Sequence, residues 1–231
     1  MPPAGRLALA LSLAIFVLSS CAKKHRVTAT SAPAPQIYSE ETGLASWYGH
    51  PYHGRAASNG EIYDMEKLTA AHRTLPFGTW VHVTNLANHK SVDVRIIDRG
   101  PFINGRIIDL SHAAAQAIDL IGPGVAEVRL DILSAPQITP ADSWYSVQAG
   151  AFRDKDRAEH LRVSMEREYG SARLVLRPGS PSLWRVLVGR ERTENAADLL
   201  AERVRAEVGP AFVVRLDDAT RSMAGTSTLQ P

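Results

Sequence analysis

The segment VQAGAFRDKDRAEHL, residues 147 to 161, returns at 186 to 200 as VLVGRERTENAADLL, 39 residues further on. Val147 matches Val186, Gly150 matches Gly189, Arg153 matches Arg192, Ala158 matches Ala197 and Leu161 matches Leu200. Each copy runs from an apolar strand pattern through a polar turn into a helical period. Asp154 or Asp156 is placed to cap the first helix, whose inner face would be Ala158, Leu161 and Met165. Thr193 is placed to cap the second, with Ala197, Leu200, Val204 and Val208 inward. Strands expected at 173–177 and 211–216 complete a βαββαβ order, the split βαβ arrangement. Residues 143–216 are therefore expected to fold as one α+β unit, followed by a polar tail, 217–231.

Upstream the pattern has period two. Val81 and Val83 alternate with Trp80, His82 and Thr84, and Val92, Val94 and Ile96 alternate with Asp93, Arg95 and Ile97. Joined through residues 87–90, these read as a hairpin. Residues 43–49 read as a strand, followed by a glycine- and histidine-rich run to Gly60. Ser111 is placed to cap a short helix over 112–120 with Ala114, Ala117 and Ile118 inward, and Gly122-Pro123-Gly124 stops it. Val128, Leu130 and Ile132 mark a closing strand. Many short strands and one helix in about ninety residues imply a small closed β-barrel over 43–133, with residues 134–142 as a linker.

The N-terminus reads as an export signal. Arg6 precedes twelve apolar or small residues, Leu7 to Leu18, and then Ser19, Ser20 and Cys21. Twelve helical residues reach about 18 Å, short of the ~30 Å hydrocarbon core, so the segment 1–20 is not a membrane span. Cys21 is the only cysteine, so no intramolecular disulfide exists. Residues 21–42 are rich in Ser, Thr, Ala and Pro and lack the apolar surface to offset ordering entropy, which is the composition of a tether.

A net charge of +2 over 231 residues excludes the concentrated basic face of a nucleic-acid binder. No HExxH or other metal-ligand spacing occurs, and GxSxG and phosphate-loop patterns are absent, so no metal or cofactor is expected. Carboxylates near glycine-rich loops remain. In VRIIDRGPFINGRIIDL, residues 94–110, two apolar runs each deliver an aspartate, Asp98 and Asp109, on either side of turn signals. A strand that ends in an acid is one way to fix a carboxyl at the rim of a cleft. Asp98 is the first candidate for chemistry, and Asp109, before Ser111, reads as support for the helix start. Glu61 and Asp64 in Asn59-Gly-Glu-Ile-Tyr-Asp64, and His72, complete the set. Paired acids beside Trp47, Tyr48, Tyr52 and Tyr63 suit glycosidic cleavage, because sugars stack on rings and the leaving oxygen needs a proton from an acid of raised pKa.

Longer motifs carry a resemblance. Ala45-Ser-Trp-Tyr-Gly49, Ser58-Asn-Gly-Glu61, Leu68-Thr-Ala-Ala-His72, Thr74-Leu-Pro-Phe-Gly78 and Asp98-Arg-Gly-Pro101 through Gly105-Arg-Ile-Ile-Asp-Leu-Ser111 resemble the six-stranded double-psi β-barrel of the rare lipoprotein A family. Tyr145-Ser-Val-Gln-Ala-Gly-Ala-Phe152 and Trp184-Arg-Val-Leu-Val-Gly189 resemble the signature strands of a sporulation-related repeat (SPOR) domain, and Leu18-Ser19-Ser20-Cys21 resembles a lipobox. Ile97 departs from the family, which often has a polar residue there.

The resemblance implies a peptidoglycan lytic transglycosylase that cuts the MurNAc–GlcNAc bond with 1,6-anhydro product. Glu61, Asp64, His72 and Asp98 fall on the family's active-site positions, with Asp98 as the acid and His72 orienting a carboxylate. For the second domain it implies binding of glycan strands stripped of stem peptides, with Gln148, Phe152, Trp184 and Arg185 as contacts. That domain carries thirteen Lys/Arg against ten Asp/Glu, so bulk charge does not explain such binding. The lipobox implies acylation of Cys21 and membrane attachment, and Ala22 after it implies the outer membrane. Septal enrichment follows from the same resemblance, and division-site proteins are among the partners it allows. The alternative is a non-catalytic, expansin-like wall binder.

Overall fold

The computed structural model describes residues 40–137, 143–177 and 181–216. The export signal, Cys21, most of the tether, residues 138–142 of the linker and the tail lie outside them.

Six strands close the first domain into a barrel: β1 (Glu40–Tyr48), β2 (Thr69–His72), β3 (Trp80–Asn85), β4 (Ser91–Asp98), β5 (Arg106–Ser111) and β6 (Val125–Ser134). Their order around the barrel is β1-β5-β2-β4-β3-β6. β5 lies parallel to β1 and antiparallel to β2, and β2 lies parallel to β4. This interlocking of parallel pairs is what the double-psi name denotes. The expected hairpin is present as β3–β4, with Val81 opposite Val94 and Val83 opposite Val92. Val81, Val83, Val94, Ile96, Ile108, Leu110 and Leu130 fill the barrel and are fully or almost fully buried. Each such branched side chain contributes roughly 1.5–3 kcal/mol of burial free energy.

Three details differ from the sequence reading. β1 starts at Glu40, so the last three residues expected in the tether pair with β6, Glu41 facing Leu130. Backbone pairing carries this extension, since Glu40, Glu41 and Thr42 have no apolar pattern to announce it. The helix α1 ends at Ala117 rather than Leu120, and Ala115 is inward in place of Ala117. Asp119 with φ of 56° breaks the helical path before the glycine signal is reached. Ser111 caps α1 through Ala114 N, at 3.2 Å, so Asp109 has no capping work and is free for other partners.

The second domain is β7 (Trp144–Phe152), α2 (Lys155–Tyr169), β8 (Ala172–Arg177), β9 (Leu183–Glu191), α3 (Glu194–Val208) and β10 (Phe212–Leu216), with sheet order β10-β7-β9-β8. Asp154 caps α2 and Thr193 caps α3. Both helices cover the sheet face formed by Val147, Ala149, Val186, Val188 and Val213, with Met165 and Val204 at full burial. The two domains belong to a single compact unit.

Candidate functional site

Asp98 ends β4, and the loop from Ala57 to Glu61 is laid along that strand. Ser58 N donates to Asp98 Oδ1 at 3.0 Å, and the Ser58 hydroxyl donates to the same oxygen. Asn59 N donates to the Ile97 carbonyl at 3.2 Å, and Arg95 grips Glu61 with two bonds of 2.8 and 2.7 Å. Arg99 N adds a third donor to Asp98 Oδ1 at 2.8 Å. Asp98 is thus fixed by the backbone at a strand terminus, as its position between apolar run and turn suggested. Gly100 follows with φ of 146°, a conformation that favours glycine, and carries the chain away from the acid.

A second carboxyl stands beside it. Ala71 on β2 is the register partner of both Asp98 and Asp109, so the three side chains share one face. The two acids' Cα atoms are then about 10 Å apart, two strand spacings. Asp109 accepts from the Ser46 hydroxyl and from Arg106 Nη2 at 2.8 Å. Burial pushes its carboxyl above the usual range, and the neighbouring Asp98 charge acts in the same direction. The Tyr48 hydroxyl is pushed up by burial and then by Asp98, and it has no hydrogen-bond partner among the described residues. Sequence reading assigned Asp109 to the helix; the parallel strand pairing that seats it by Asp98 has no local sequence signal.

The other expected residues are distributed around this pair. Glu61 is held by Arg95, whose backbone lies three residues and roughly 10 Å back along β4 from Asp98. The hydrogen bonds from Arg95 hold the Glu61 carboxyl below the usual range, with burial acting in the opposite direction. Asp64 accepts from Glu66 N at 3.1 Å and lies 3.7 Å from His53 Nδ1, a turn position at the surface.

The His72 ring does not meet the Asp98 carboxyl. Its Nδ1 accepts from Thr74 N and Leu75 N at 3.2 and 3.1 Å, so Nε2 carries the proton and donates to Glu41 Oε2 at 3.1 Å. The carboxylate that His72 meets is Glu41 rather than Asp98, because alternation along β2 turns His72 away from the face of Ala71. Its link to the acid runs through the backbone, where Arg99 Nη1 donates to the His72 carbonyl at 3.0 Å.

The aromatic trough needs correction. Tyr63 is 2% exposed, stacks on Tyr48 at 4.3 Å and donates its hydroxyl to the Tyr48 carbonyl at 2.6 Å. It packs with Ala57 and Ile97, which explains the apolar residue at 97: it anchors the loop that carries Ser58. Trp47 packs against the barrel core and the edge of the His112 ring. Tyr52, edge-on to Tyr48, is the solvent-facing ring of the group.

In the second domain Phe152 and Trp184 pair across β7 and β9 and pack on the helix side. Gln148 and Arg185 lie on the opposite sheet face, joined by a bond from Arg185 Nε to Gln148 Oε1. The residue least visible from sequence is Arg177, at the end of β8. Its Nη2 donates to Asp98 Oδ2 at 2.9 Å, and Asp98 is left 5% exposed.

The family model described as "Lytic transglycolase" matches residues 40–130, and the SPOR domain model matches 132–215. Across these two regions the chain is similar to proteins named RlpA. Relatives named "Endolytic peptidoglycan transglycosylase RlpA" include that of Vibrio cholerae, 54% identical over 99 residues, covering 43% of this chain and 38% of the relative. That of Campylobacter jejuni is 57% identical over 91 residues, covering 39% and 33%. One from Helicobacter pylori is 39% identical over 174 residues, covering 75% of this chain and 51% of the relative, a length that reaches into both domains. The chain spans about half or less of the length of these RlpA relatives.

Proposed function

We propose that this chain, similar to RlpA proteins in both domains, is a peptidoglycan lytic transglycosylase in which Asp98 is the acid. The observation that carries the reading is the backbone-fixed Asp98 with Asp109 on the same barrel face, the paired-carboxyl arrangement that glycosidic cleavage uses. The Asp98 carboxyl gives its proton to the oxygen between MurNAc C1 and GlcNAc, and that C–O bond breaks with charge developing at C1. The muramoyl C6 hydroxyl then closes on C1, and its proton returns to the Asp98 carboxylate. The product is a 1,6-anhydro sugar, and no water enters. Burial and the Asp98 charge both push the Asp109 carboxyl above its usual range, so Asp109 favours the protonated form more than a free carboxyl does. Glu61 and Asp64 are assigned to sugar orientation, Tyr48 and Tyr52 to ring contact, and His72 to holding Glu41 and the β2 terminus. The second domain binds glycan strands stripped of stem peptides, and a lipid on Cys21 holds the protein at the outer membrane, with enrichment at the septum.

The burial of Asp98 favours a second reading, a wall-binding protein that does not cut. Incubation of the protein with amidase-treated sacculi, followed by mass spectrometry of released fragments, separates the two. Anhydro-muramoyl ends that fall about 100-fold or more in Asp98→Asn support the enzyme. New reducing ends mean a hydrolase, and no release with binding intact means the wall binder.

A further inference from the structure

The helix-free face of the second domain's sheet is not open to solvent. Ser146, Gln148, Arg185, Leu187, Phe212 and Val214 point away from α2 and α3, yet most of them are buried. The barrel covers them. Phe102, just past the Asp98 turn, meets the Phe212 ring edge-on at 6.1 Å, and the Arg185 guanidinium lies 5.2 Å from the centre of the Phe102 ring. Arg73 lies over the other side of the contact, 5.7 Å from the Phe212 centroid, and its carbonyl accepts from Arg215 N at 3.1 Å. At the end of the same seam Arg177 holds Asp98.

From these contacts we propose that the second domain is an autoinhibitory cap: in the closed form it occupies the catalytic acid and at the same time hides its own glycan-binding face, so that a stripped glycan strand and the barrel compete for that face. The inference rests on the functional reading above for the identity of the acid and the ligand.

The seam has the character of a contact built to be exchanged. A permanent domain interface is expected to be apolar and closely packed, whereas this one buries arginines. Burial pushes the Arg99 guanidinium down to about 9 and that of Arg185 to about 10, a sign that both cations are held out of water at a cost. A cavity of about 330 Å³ remains in the seam, lined by Glu41, His72 and Arg73 from the barrel and Glu194, Asp198 and Phe212 from the second domain. The groups on the hidden face also suit the proposed ligand. Removal of stem peptides frees a lactyl carboxylate on each muramic acid, and Arg185 with Gln148 offers a cation and an amide beside the Phe212 ring for such a strand. Arg177 sits at the edge, 30% exposed on its side chain, so its loss removes the clamp without opening either core.

The test uses the full-length protein as wild type, Arg177→Ala and Arg177→Glu, with amidase-stripped glycan strands as probe. Two quantities are read: strand binding by co-sedimentation in the cold, and the initial rate of anhydro-muramoyl release. Both variants are expected to bind strands about fivefold or more tightly than wild type and to release product faster. Unchanged or weaker binding in both variants overturns the cap, whatever the release. Slower release with unchanged binding assigns Arg177 to the reacting site and also overturns it. Tighter binding with no release from any form, wild type included, keeps the cap and removes the catalytic reading instead.

Discussion

Glu61 and Arg95 meet in a two-pronged ion pair that is half open to water, with side-chain exposures of 48% and 30%. Arg95 depresses the Glu61 carboxyl in the folded chain, so the pair's contribution is present above the ordinary value of 4.5 and is lost as pH falls below it. Solvent screening limits that contribution to under about 1 kcal/mol. Thermal melts of wild type and Glu61→Gln are therefore expected to differ by a few degrees at pH 7 and to converge below pH 4.5. At this scale the sequence was informative about Asp98 because the cue is local, an apolar run followed by an acid and a turn. It was misleading about Tyr63, since nothing in Tyr-Asp-Met distinguishes a ring that faces a sugar from one that pins a loop. Ser58 was visible within its motif, but its bond to a carboxyl forty residues away was not.

The repeat in the second domain has a packing reason at the level of the element. Gly150 and Gly189 are the points where each strand receives a leucine from its own helix, Leu161 and Leu200. A Cβ at Gly150 would run into the Phe152 ring, 2.6 Å from its Cε2, and press on Leu161 Cδ2 at 3.1 Å, and one at Gly189, where φ is 70°, would overlap Leu200 Cδ2 outright. The offset of 39 residues therefore preserves a strand-to-helix contact, and a repeat of that kind is readable from one chain. Gly189→Ala is expected to destabilise the second domain by about 2–4 kcal/mol, combining left-handed strain with overpacking. Gly124→Ala, with φ of 74° but open space around it, is expected to lose only about 1–2 kcal/mol, strain alone. Denaturant titrations of the two variants check the difference. The barrel was less legible: β2 is four residues long, and its pairing with both β4 and β5 depends on contacts remote in sequence.

Across the whole molecule, the contact between Arg177 and Asp98 joins residues 79 positions apart, and no local pattern in either segment announces it. Its consequence can be examined from the catalytic side. If the cap and the glycan strand exclude each other, any change that weakens the cap must strengthen strand binding, up to the factor by which the closed form had been favoured. Asp98→Asn removes the charge that Arg177 seeks while leaving an oxygen for Ser58 N and Arg99 N. It is therefore expected to bind stripped strands about fivefold more tightly than wild type, although the substitution lies in the barrel. Lys90→Ala supplies the contrast, because it breaks an exposed barrel ion pair with Asp119 without touching the clamp or the proposed site, and its strand binding should match wild type. Domains that act as beads on a string would give equal binding for all three proteins, so co-sedimentation of these two variants beside wild type distinguishes a coupled molecule from a tethered pair.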